Sequence, residues 1–497
     1  MPPSSPALLD LPVRRHRLYQ WLRRATLAGS WLFILAVPLW HLRAAGAASA
    51  FSADGRWYEL AARLGIPATP PAVSGAPWTV RLFGIELLNP LAGFGVLFAL
   101  SPSTTLLLGL VPTLLLVAFL GRFFCGWMCP YRTVLAVSNA ARTLLTKLGF
   151  APRDLPMPRR SSFLVLVSVL VLALLAGTQV APVFYPPAVI GRSVLRAVVL
   201  GSLGLGALAV LAAFVFDTLF ARAGFCRYLC PGGALMSLVG AASPLRVVRE
   251  APKCTACGLC NQVCNLLQDP AAGNVGSGCE RCGLCIAACA PGALSFKLQR
   301  PSLAPIEKPT ERERRLLLGA VPALAVVAVW GRDETQPARL RPPRAHPDFA
   351  ARCIRCQRCA QVCPPKAIRF DGSLDLRGTD VPFVSARASA CTLCMRCTEA
   401  CPTGALILTP AGDLAALQPL VKMGTPVLDK KKCLPWTGDG ICRLCYYACP
   451  YPDSAIELTG PSLAPNFKED ACVGCGRCEQ VCPERAQAIT IKPRGEA

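Results

Sequence analysis

The residues of this chain that can carry redox or metal chemistry are its cysteines, 28 among 497 residues. Most fall into six groups of four. Five groups read CxxCxxCxxxC: Cys254, Cys257, Cys260 and Cys264; Cys279, Cys282, Cys285 and Cys289; Cys353, Cys356, Cys359 and Cys363; Cys391, Cys394, Cys397 and Cys401; Cys472, Cys475, Cys478 and Cys482. The sixth, Cys433, Cys442, Cys445 and Cys449, has a longer first gap. Three thiolates from one tight turn can hold three irons of a cubane, while a fourth, usually before proline, reaches across to a partner cluster. Pro364, Pro402, Pro450 and Pro483 supply that proline, whereas Asn265 and Ala290 stand there in the first two groups. Zinc sites are built from separated CxxC knuckles, and disulfide scaffolds are short secreted chains. The spacing therefore predicts six 4Fe–4S clusters with these 24 cysteines as iron ligands.

Four cysteines remain, Cys125 with Cys129 and Cys226 with Cys230, each pair within a CxxxCP motif. Thiols four residues apart share a helix face. The two pairs make one four-thiolate site, two dithiols, or inert packing, and they are a candidate redox or metal site. Histidine is nearly absent, with only His16, His41 and His346. That scarcity excludes bis-histidine haem, histidine-rich zinc or copper centres and Ser/His/Asp catalysis.

The elements that position these cysteines are strongly apolar. Hydrophobic residues make up 53% and charged residues 16%, with a net charge of +23. Apolar runs at 25–42, 104–120, 161–180 and 194–216 suggest four membrane spans, since a bilayer needs about 20 apolar residues per helix. Between the second and third, Arg122, Arg132, Arg142, Lys147, Arg153, Arg159 and Arg160 face only Asp154, which places that loop in the cytoplasm. His41, Glu86 and Asp217, polar groups near span ends, are candidates to hold a quinol. At 310–330, Arg314 and Arg315 precede a short apolar run, as in a twin-arginine export signal. No basic stretch interleaved with aromatics suggests a nucleic-acid partner.

The expected fold is an α-helical membrane domain with four spans and a short fifth, signal-like segment, flanked by α+β ferredoxin-like 4Fe–4S modules on both sides. Its divisions fall at 1–245 (membrane domain), 246–300 (cytoplasmic two-cluster domain), 301–335 (signal or anchor segment) and 336–497 (exported four-cluster domain).

The run from Gly121 to Pro130 (GRFFCGWMCP) and that from Cys226 to Pro231 (CRYLCP), followed by a two-cluster ferredoxin, resemble the NapH and MauN families. The twin-arginine-like segment with four tetrads resembles NapG and MauM. The resemblance is to a NapH–NapG fusion. It implies a protein of the bacterial inner membrane, with its C-terminal domain in the periplasm. Its expected activity is of quinol-dehydrogenase type, taking electrons from the quinone pool and passing them to a periplasmic cytochrome or reductase. An electron-supplying role in maturing or reactivating a periplasmic metalloenzyme or quinoprotein is the alternative. The NapG resemblance also implies nested cluster pairing, the tetrad of Cys353 with that of Cys472 and the tetrad of Cys391 with that of Cys433.

Overall fold

The computed structural model describes residues 14–44, 63–66, 73–155, 157–158, 160–200, 204–273, 275–299, 339–370, 380–483 and 487–494. The twin-arginine-like segment lies outside the described residues.

The N-terminal half is built from α1 (Arg14–Ala44), α2 (Pro90–Phe98), α3 (Thr104–Leu120), α4 (Phe123–Trp127), α5 (Tyr131–Lys147), α6 (Ser161–Ala176), α7 (Pro186–Leu200), α8 (Leu205–Leu219) and α9 (Pro231–Val239). Local signals set several boundaries. The Asn89 side chain accepts the Leu91 N–H, with Pro90 at the first helical position of α2. The Ser103 hydroxyl accepts the Leu106 N–H at the start of α3, and α3 stops at Gly121, φ 64°. A small sheet lies between α1 and α2, formed by β1 (Val73–Ala76), β2 (Thr79–Leu82) and β3 (Ile85–Leu87).

The expected span over 104–120 is α3. That over 161–180 is helical as far as Ala176, where Gly177 takes a left-handed conformation. The expected fourth span, 194–216, is not one helix. It divides between α7 and α8, and Gly204 before α8 is extended at φ −87°, ψ 175°. A Cβ on Gly206 would meet Ser193 Oγ at 2.7 Å, so glycine there lets α8 lie close against α7. Among the described residues one helical segment, Leu18–His41, is long and apolar enough to cross a membrane. The apolar helices α3, α6 and α8 have 17, 16 and 15 residues. At ~1.5 Å per residue they run about 22–25 Å, short of the ~30 Å hydrocarbon core.

The cysteine tetrads sit in three ferredoxin-like units, each closed by pairing its first and last segments. Strand β4 (Leu245–Arg249) pairs antiparallel with β5 (Leu294–Leu298) around the first two tetrads. Around the next two, Ile407 N donates to Arg344 O at 2.8 Å and His346 N to Ala405 O at 2.9 Å, with β6 (Ile368–Phe370) pairing β7 (Pro382–Val384) inside. Around the last two, β8 (Gly424–Leu428) pairs with β11 (Ile489–Pro493) and encloses the hairpin of β9 (Ile456–Thr459) and β10 (Ala464–Phe467). The second and third units share one core, from Leu340 and Phe349 to Ile489 and Ile491.

The units dock at opposite ends of α3. At its N-terminus Ser103 Oγ donates to Thr403 O of the second unit, 2.8 Å away. At its C-terminus Phe119 O accepts from Ser243 Oγ, and Gly121 lies against the Arg281 guanidinium of the first unit. Helix α6 meets the bundle at its start and the second unit just past its end. Ser161 Oγ at its start donates to Tyr228 O, and just past its end Gln179 Nε2 donates to Ala351 O at 2.7 Å.

Candidate iron–sulfur sites

Five tetrads share one loop geometry. Two residues after the first cysteine the backbone turns left-handed: Ala256 (φ 53°), Arg281 (51°), Arg355 (54°), Leu393 (61°) and Gly474 (72°). It does so again two residues later, at Gly258 (72°), Gly283 (73°), Gln357 (61°), Met395 (55°) and Gly476 (83°). Six of these ten residues are not glycine, and each such turn costs on the order of 1–3 kcal/mol. The turns aim backbone N–H groups at sulfur: Arg281 N to Cys279 Sγ and Leu393 N to Cys391 Sγ at 3.4 Å, Gly474 N to Cys472 Sγ at 3.3 Å. Such donors favour the thiolate and tune a cluster's potential. The sixth tetrad departs from this loop. Its longer gap holds a short helix, Leu434–Thr437, whose Trp436 Nε1 donates to Pro465 O at 3.1 Å.

The fourth cysteine of each tetrad crosses to its neighbour. Cys289 lines one cavity with Cys254, Cys257 and Cys260. Cys449 lines another with Cys472, Cys475 and Cys478. Cys264 lies within electrostatic range of Cys282, Cys363 of Cys391 and Cys394, Cys401 of Cys353 and Cys356, and Cys482 of Cys433. This corrects the nested pairing expected for the last four tetrads. Cys363 and Cys401 are exchanged between the third and fourth, and Cys449 and Cys482 between the sixth and fifth groups. The physical reason is that each two-tetrad unit closes with its own strands.

The donor sets fit 4Fe–4S clusters. They are all-sulfur, and burial pushes the thiols of Cys356 and Cys391 up to about 12, so unliganded they would stay protonated. Iron ligation deprotonates a thiol outright. Among the described residues no three His, Cys, Asp or Glu side chains converge on a single-ion site.

The CxxxCP cysteines, about a hundred residues apart in sequence, come together in the bundle. Cys129 lies within electrostatic range of Cys125 and Cys230, and Cys226 of Cys230 and Cys129. Each of the quinol candidates has a partner within the fold. Asp217, fully buried, accepts from Tyr131 Oη at 2.8 Å and Phe225 N at 2.7 Å. Glu86 pairs with Arg358, and His41 Nε2 lies 3.1 Å from Val73 O.

Sequence reasoning missed the residues that join the units to the bundle. Arg192 and Arg196 both pair with Asp380, at 3.1 and 3.0 Å. Arg132 pairs with Glu280, and Trp127 Nε1 donates to Arg281 O at 2.9 Å. The basic excess read as membrane flanking therefore partly serves docking.

These features define an iron–sulfur, ferredoxin-type electron-transfer protein. The family model for a 4Fe-4S dicluster domain matches residues 352–405 and 440–486, and that for a 4Fe-4S binding domain matches 102–147 and 203–248. Ferredoxin-type protein NapH of Escherichia coli is 32% identical over 38% of this chain and 66% of its own length. Ferredoxin-type protein NapG of the same organism is 33% identical over 37% of this chain and 87% of its own. Methylamine utilization ferredoxin-type protein MauN of Methylorubrum extorquens is 38% identical over 29% of this chain and 47% of its own. The chain thus spans about two thirds of that NapH and about half of that MauN. It belongs to the NapH/NapG family of ferredoxin-type proteins and joins a NapH-like and a NapG-like part.

Proposed function

We propose that this chain oxidises quinol at its membrane domain and passes the electrons through 4Fe–4S clusters, six of them held by the 24 tetrad cysteines, to a periplasmic redox protein of a nitrate-reductase-type system. Quinol gives up two protons and two electrons to become quinone, and the clusters carry the electrons one at a time. The chain is a multi-pass protein of the bacterial inner membrane. Residues 1–245 form the membrane domain, 246–300 lie in the cytoplasm, 301–335 form a signal or anchor segment, and 336–497 lie in the periplasm.

The observation that supports this reading is the docking of the first unit and of the second and third at opposite ends of α3. An apolar helix with cysteine units at both ends suits electron transfer from one side of a membrane to the other. The likeness to MauN supports a second reading, in which the same electrons mature or reactivate a periplasmic metalloenzyme or quinoprotein.

The test is anaerobic reduction of the purified protein in a lipid environment by a short-chain quinol, followed through the visible absorbance of the clusters. Reduction by quinol is the expected result. Clusters that a strong chemical reductant reduces but no quinol does would contradict it.

A further inference from the structure

We propose that Cys125, Cys129, Cys226 and Cys230 together hold one further 4Fe–4S cluster, set inside the helical bundle between the cysteine units at its two ends. Each match to the 4Fe-4S binding domain model contains only two cysteines, too few to ligate a cubane. The fold supplies four by closing the two matches on each other. Asp217 pins both motifs: it accepts from Tyr131, two residues after Cys129, and from the N–H of Phe225, next to Cys226.

The surroundings are those of a cluster. Gly233 N donates to Cys230 Sγ at 3.3 Å, the N–H···S contact seen at the tetrads. Cys230 caps the nine-residue helix α9, whose N-terminus favours negative charge. The buried Arg122 guanidinium lies within electrostatic range of Cys125, Cys226 and Cys230 and offsets the charge of thiolates on a cubane.

The position suits a relay. A Cβ on Gly126 would lie 3.0 Å from the Cβ of Cys282, so the first motif rests directly on the second tetrad. On another side the buried Tyr185 lies within electrostatic range of Cys129, Cys125 and Cys230. It stands just before α7, whose Ala188 and Arg192 line a cavity together with Cys356 of the third tetrad. The cluster takes one electron from one neighbour and gives one to the other, with no bond made or broken. This relay role rests on the function proposed above, but the cluster itself does not.

The test is iron and sulfide analysis of anaerobically purified full-length protein, with no quinol present. The wild type is expected to hold about 28 iron and 28 sulfide, and C125A/C226A about 24 of each. About 24 in both, or one zinc lost in place of iron, would overturn the proposal. Should the double variant fail to accumulate, C129S provides a second readout. Serine can remain a ligand, so one cluster's electron paramagnetic resonance signal is expected to shift, and an unchanged spectrum would overturn the assignment. Full iron content with no reduction by quinol would instead contradict only the proposed quinol activity.

Discussion

Arg358 buries its guanidinium against Glu86, Nη1 to Oε2 at 2.7 Å and Nη2 to Oε1 at 3.0 Å, tying the third cysteine tetrad to the small sheet that precedes α2. The Arg358 side chain is 0% exposed and that of Glu86 23%. Removing one partner of a buried pair costs about 3–5 kcal/mol, because the remaining charge is left uncompensated. The partial exposure of Glu86 puts this pair toward the lower end.

Glu86→Ala should therefore loosen the second and third units from the bundle. Limited proteolysis of detergent-solubilised protein is expected to show faster cleavage in Glu86→Ala, with partial recovery in E86A/R358A. Cleavage at the wild-type rate in Glu86→Ala would mean that the pair contributes nothing to docking.

Cluster pairing can be read from non-additive iron loss. Cys363 lies among Cys391, Cys394 and Cys397. Cys363→Ala and Cys391→Ala should thus each cost about four iron, and together no more than either alone. Combining Cys363→Ala with Cys353→Ala should cost about eight. The reverse pattern would return Cys363 to its own tetrad.

Topology is tested by reporter fusions. Fusions after Arg160 and after Phe296 should report cytoplasm, and a fusion after Ala497 periplasm. Changing Arg314 and Arg315 together to Lys should retain the C-terminal units in the cytoplasm. Export that survives the change would make the segment a plain membrane span.

Much of the site was legible in the sequence because its constraints are local. Three ligands on one cubane must follow at three-residue spacing within a single turn, and Cys353, Cys356 and Cys359 show this without any fold. What stayed hidden depends on distant segments. The exchange of Cys449 and Cys482 follows from β8 pairing β11, some sixty residues on. The convergence of Cys125 and Cys129 with Cys226 and Cys230 follows from helices closing around Asp217. The left-handed turns were also invisible, because Arg355, Gln357 and Met395 occupy positions where glycine would have signalled them. Hydropathy misplaced the break between α7 and α8, since an apolar run does not say where a helix stops.

The units also touch one another in sequence along the fold. Cys391 N donates to Cys475 O at 2.9 Å, joining the second unit to the third. A path thus runs from Cys282 through the CxxxCP quartet to Cys356, then from Cys391 to Cys475. The most direct test places the protein in quinone-free liposomes with ferricyanide inside and a membrane-impermeant reductant outside. The expected result is reduction of the enclosed ferricyanide by wild type but not by C125A/C226A. No transfer by wild type, or equal transfer by the variant, would contradict a continuous cluster path through the bundle.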